Sequence, residues 1–137
     1  MVGLMWTIHF VHYPLFAQVG DDNFVAYETA HVDRIGNLLL LPWLTEGVSL
    51  LGLLWLAFLG PRREIRVPAI VNAVSMGIVL AISGFWSAPA HGKLLKGFDP
   101  DVFGRLMNAD LVRTIAWTVC GITALQIVQR LWSDSTS

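Results

Sequence analysis

Two histidines, His9 and His12, lie three residues apart in an apolar stretch, a spacing that puts both imidazoles on one helical face. A single carboxylate, Glu46, sits deep in a second apolar stretch. Imidazole is the commonest metal ligand. A two-histidine, one-carboxylate set at His9, His12 and Glu46 would suit a transition metal. The plainer expectation is a Glu–His hydrogen bond that ties two helices together.

A second group gathers at what should be one mouth of the molecule. Tyr27 and His31 are spaced i, i+4 with Arg34 on the same side, His91 follows Pro89, and Asn108, Asp110 and Arg113 open the last apolar stretch. His12 or His31 is the candidate general base toward a phenolic or benzylic proton, tuned by Glu46 or Tyr27. Arg113 is the candidate for holding the resulting phenolate or enolate, with Asp110 at i−3 as its nearest partner. A third set, Asn72, Ser75, Ser83 and Trp86, forms a stripe suited to helix packing. Trp86 and Trp117 could wall an aromatic pocket. Cys120, the only cysteine, reads as a small buried hydrophobe.

The elements that must position these residues follow from composition. Hydrophobic residues make up 55% of the 137 residues and charged residues 14%, with mean hydropathy +0.60. Soluble domains carry about 25% charged residues, and so small a globule has too little interior to hide this apolar surface. Four apolar stretches, about 2–19, 38–59, 67–88 and 111–132, each approach the roughly 20 residues needed to cross a bilayer as a helix. The expectation is an all-α, integral-membrane four-helix bundle forming one domain over 1–137. Period-2 alternation is lacking, which excludes a β-barrel.

The connections add detail. The segment 20–37 is acidic and amphipathic, with Asp21 or Asp22 as a cap and Phe24, Tyr27, His31, Ile35 and Leu38 on one stripe. It should run straight into the second span as one long helix extending beyond the membrane and kinked at Pro42. The segment 89–108 is polar and carries Gly92, Gly97, Pro100 and Gly104 as breakers, and Ser133–Ser137 is a short polar tail. Arg62, Arg63 and Arg66 put the loop between spans two and three on the cytoplasmic side of a bacterial inner membrane, with both termini there too. The opening residues carry no Lys or Arg, so they read as a first span rather than a signal peptide. The abrupt start leaves room for a few upstream residues.

Several functions are disfavoured. The net charge of −1 comes without a basic block, which argues against nucleic acid. There is no Cys-x-x-Cys, no GxGxxG and no P-loop. Four spans without inverted repeats do not make a self-sufficient transporter.

The chain resembles a group of mostly uncharacterised bacterial four-span membrane proteins. The matching pieces are Val11-His12-Tyr13-Pro14-Leu15-Phe16, Tyr27…His31…Arg34, Pro42…Glu46, Pro89-Ala90-His91-Gly92-Lys93-Leu94…Gly97-Phe98-Asp99, and Arg113-Thr114…Trp117-Thr118. Asp110 stands where that pattern has Asn. The group is similar, more distantly, to the DUF1772 or anthrone-oxygenase-like membrane proteins. That resemblance implies oxidation of polycyclic anthrones to quinones without an obvious bound cofactor.

Two expectations follow. One is a membrane oxidoreductase, oxygenase-like, acting on a lipophilic aromatic or quinone-like molecule that enters between helices, with a metal ion as a variant. The other is a non-catalytic accessory subunit or ligand-binding membrane protein, within a homo-oligomer or larger membrane complex and surrounded by lipid. A haem ligated by His9 or His12 belongs to the second and is weaker than a metal ion, because no second mid-membrane histidine exists on another span.

Overall fold

The computed structural model describes residues 1–135; Thr136 and Ser137, the end of the polar tail, lie outside the described residues. Every regular element among them is helical. Four rods form the bundle. The first is α1 (Val2–Thr7), continued by a π-turn (Ile8–His12) and a 3₁₀ turn (Tyr13–Gln18). The second is α2 (Asp21–Phe58). The third joins α3 (Arg66–Ile82), a π-turn (Ser83–Ser87) and α4 (Ala88–Leu94). The fourth is α5 (Pro100–Ser135). The last three rods are long and apolar enough to cross a membrane.

Local chemistry explains the breaks. Gly20 takes φ +80, which turns the first rod back onto α2. Asp21 and Asp22 occupy the first turn of α2 instead of capping it with a side chain, where their charge still favours the positive helix end. Pro42 lies within α2, which continues through it. Gly97, at φ +139, turns the chain between α4 and α5. The Asp99 carboxylate then caps α5 by accepting from the amides of Asp101 and Val102 at 2.9 and 3.1 Å. Much of the segment 89–108 is therefore helix, and α5 begins about three turns before the hydropathy boundary.

The rods differ in length, and this decides the architecture. α2 has 38 residues, about 57 Å at 1.5 Å per residue. The first rod covers only part of it: His12 meets His31, and the Met1 amino nitrogen lies 3.9 Å from Glu46. Beyond Glu46 the bundle narrows to α2, α3 and α5. A cluster of Ala57, Ile65, Ala69 and Ile127 closes that end. The α3–α5 seam carries Asn72, whose side-chain amide donates to the Cys120 carbonyl and the Thr123 hydroxyl at 2.9 and 2.8 Å. Asn72 and Ser75 are buried in this packing, as the small-polar stripe predicts. Gly121 lets the first rod approach, since a Cβ there would stand 2.8 Å from Val2 Cγ2.

Along its apolar half, α2 presents Leu40, Leu41, Leu44, Val48 and Leu51 outward, each more than half exposed. These are lipid-facing positions.

Candidate functional site

The site lies where all four rods overlap, and α2 supplies its floor. Phe24, Glu28, His31 and Ile35 follow at i, i+4, i+7 and i+11, a single inward stripe. Glu28 is fully enclosed and His31 is 8% exposed. The first rod brings His12 and Tyr13 through its π-turn, and the third rod brings His91 one turn after its own. A π-turn inserts one extra residue and re-aims everything downstream, and such turns recur at functional sites.

Three hydrogen-bonded strings result. In the first, His12 Nε2 and His31 Nδ1 lie 2.9 Å apart. In the second, the His91 ring spans two partners, with Nδ1 at 2.6 Å from the Glu28 carboxylate and Nε2 at 3.0 Å from the Tyr13 hydroxyl. The Arg113 guanidinium lines the same cavity as Tyr13 and donates to Asp110 Oδ1 at 3.1 Å. Asp110 Oδ2 lies 3.0 Å from His9 Nδ1. Glu28, His91 and Tyr13 thus form one hydrogen-bonded run, and Arg113, Asp110 and His9 form another. His31 ties in through its ring, with its centroid 5.3 Å from that of His91. Phe16, Phe24, Phe98 and Phe103 stack edge-on or offset above it, with neighbouring centroids 5.0–6.4 Å apart, and seal the end of the bundle.

A cavity of about 370 Å³ ends on this network. Tyr13, His31, His91 and Arg113 form its polar end, while Ile8, Ile35, Leu39, Trp43 and Leu80 form its walls. Ser83 and Gly84 line it on the third rod. On the other side of His31, a hollow of about 240 Å³ is bordered by His12, Tyr27, Arg34 and Leu38. His31 is the one imidazole that borders both.

Several expected site residues meet here: His12, Tyr27, His31, His91 and Arg113. Others do not. Glu46 stands 15 residues beyond His31 on the unbroken α2, about 22 Å along the axis. It cannot join His9 and His12 around one ion, and His9 is engaged with Asp110 instead. The metal set His9, His12 and Glu46 is therefore not assembled. Trp86 and Trp117 share no pocket: Trp86 is 54% exposed on the outer surface, and Trp117 is buried beside Asn72, Cys120 and Glu46. Asn108 lies outside too, exposed next to Trp86. Asp110 pairs with Arg113 as the i−3 spacing predicts.

Two members were missed from sequence. Glu28 looked like one more charge in an acidic segment, yet its position on the Phe24–His31–Ile35 stripe was the available signal. Tyr13 passed as an interruption of an apolar run.

No family model, no curated protein and no solved structure matches the chain. The functional reading therefore rests on the site itself.

Proposed function

We propose that the protein is a membrane oxidoreductase, oxygenase-like, that acts on a lipophilic aromatic or quinone-like molecule held in the cavity between α2 and the third rod. The observation that carries this reading is the composition of that cavity: apolar walls closing on a phenol, two imidazoles and a guanidinium. Such a space suits a flat apolar ring system with one oxygen that becomes anionic.

Depth supports the same reading. Asp33, Arg34 and Asn37 are all exposed on α2, whereas the next outward residues, Leu38, Leu40, Leu41 and Leu44, are apolar. Charged groups facing lipid are costly, so the hydrocarbon begins near Leu38. Leu39, Trp43 and Leu80 then place the cavity mouth at its edge, and a molecule dissolved in lipid reaches the polar end by moving sideways. The Arg62–Arg66 turn faces the cytoplasm of a bacterial inner membrane, which puts the site at the outer interface.

The chemistry is proton transfer coupled to oxidation. For an anthrone, the overall change is R₂CH₂ + O₂ → R₂C=O + H₂O. His31 Nε2, buried and without a protein partner, takes one benzylic proton. Arg113 holds the oxygen that becomes phenolate. Dioxygen adds at the resulting carbanion to give a hydroperoxide, and loss of the second benzylic hydrogen with hydroxide yields the carbonyl and water. The Glu28–His91 pair fixes the Tyr13 hydroxyl by accepting its proton in a hydrogen bond.

The test is oxygen uptake by purified protein with anthrone and with hydroquinones. Turnover that falls at least about 100-fold in His31→Ala supports the reading. No uptake, or uptake equal in the variant, overturns it.

A further inference from the structure

The enclosed face of the site holds a second arrangement, which competes with proton transfer for His31 Nε2. Glu28, His31 and His91 each offer one ligand atom, and these atoms all lie within 4.8 Å of one another. Two electron-pair donors in this set have no partner: Glu28 Oε2, on a fully buried residue, and His31 Nε2, on a residue 92% buried. Burying an acceptor without a donor costs about 1–3 kcal/mol, and more when it carries charge. Two such atoms on residues of one cluster can be satisfied by a shared cation.

We propose that Glu28, His31 and His91 bind a divalent first-row transition ion, as two imidazoles and one carboxylate with further positions open toward the cavity. The supporting residues match what ligating histidines require. With His31 Nδ1 donating to His12 Nε2, the His31 ring is held so that Nε2 presents its lone pair inward. His91 Nδ1 exchanges its hydrogen bond to Glu28 for a bond to the ion, while Nε2 stays held by the Tyr13 hydroxyl. Ligands at about 2.1 Å from a tetrahedral ion stand about 3.4 Å apart, so binding draws the more distant ligand atoms inward by about an ångström and opens the 2.6 Å Glu28–His91 contact. Two nitrogens and one carboxylate oxygen suit Fe²⁺ or Zn²⁺ better than Ca²⁺ or Mg²⁺. With an ion on His31 Nε2 that atom no longer takes a proton, so the ion's binding stands apart from the function proposed above.

The test is titration of metal-stripped protein in detergent with Co²⁺, read by its visible d–d bands. The expected result is one Co²⁺ per chain, displaced by Zn²⁺, with affinity reduced at least about 100-fold in His31→Ala and Glu28→Gln and unchanged in Glu46→Gln. X-ray absorption on the wild-type protein should count two imidazole ligands, which keeps the test decisive if a variant fails to fold. No saturable band, a different imidazole count, or equal affinity in folded variants overturns the proposal. Quinone binding to the stripped protein separates the two ideas. Quinone bound without any metal site removes only this inference, and a metal site without quinone binding removes only the earlier reading.

Discussion

The His91 ring lies 2.6 Å from the Glu28 carboxylate, on a residue with no exposed surface. This contact joins α4 to α2 across the bundle. It also fixes the ring whose other nitrogen meets Tyr13. Its consequences are partly structural and partly chemical, and the two separate by substitution.

Glu28→Ala removes one half of a buried pair and leaves His91 without its partner. The expected loss is about 3–5 kcal/mol, seen as a lower thermal midpoint in detergent. Glu28→Gln keeps the shape and a hydrogen bond. It should keep most of the stability while turnover falls about 10²–10⁴-fold. Equal loss of stability in both variants would assign the contact to folding alone.

Glu46→Gln should leave turnover and ligand affinity within about twofold of wild type, because its carboxylate lies about 22 Å along α2 from His31. Steady-state kinetics on the purified variant decide this. A loss of 100-fold would put Glu46 in the chemistry and contradict the register described above.

The depth of the site has its own signature. A nitroxide at position 37 should be relaxed by a water-soluble nickel chelate, and one at position 44 by oxygen dissolved in the bilayer. Both positions are exposed, and Cys120, the native thiol, is buried. Oxygen-dominated relaxation at position 37 would move the hydrocarbon boundary up over the cluster.

Two substitutions probe the packing that supports the site. Asn72→Ala deletes the paired bonds to Cys120 and Thr123. It should cost about 0.6–1.7 kcal/mol, the range for polar contacts between membrane helices, with ligand binding kept. Gly121→Val forces a side chain into Val2 and should cost about 1–3 kcal/mol by overpacking. Unfolding of each variant in mixed detergent gives the comparison. A neutral Gly121→Val would mean that the first rod rests only loosely on α5.

Hydropathy made the fold legible. Apolar stretches of about 20 residues announce helices whatever their neighbours, and the long α2 follows from the stripe that runs through His31 toward Leu38. Depth was less legible. The first stretch looks like a span by itself, and only its pairing with residues 21–46 of α2 reveals that His12 sits level with His31, alongside exposed Asp33 and Arg34. Sequence spacing therefore suggested a meeting of His12 and Glu46 that the helix register forbids. His12, His31, His91 and Arg113 were found because ionisable residues in apolar surroundings stand out. Glu28 was lost among acidic neighbours. The π-turns that aim Tyr13 and Ser87 inward have no reliable sequence signal, since they arise from tertiary packing.

The account turns on the lateral cavity accepting a lipophilic ring system. Calorimetric titration of the purified protein with a short-chain alkyl benzoquinone measures this directly, with wild type beside Leu39→Trp, which fills the mouth. The account predicts saturable binding at one site per chain in wild type and its loss in Leu39→Trp. Unsaturable partitioning that is the same in both proteins would contradict it.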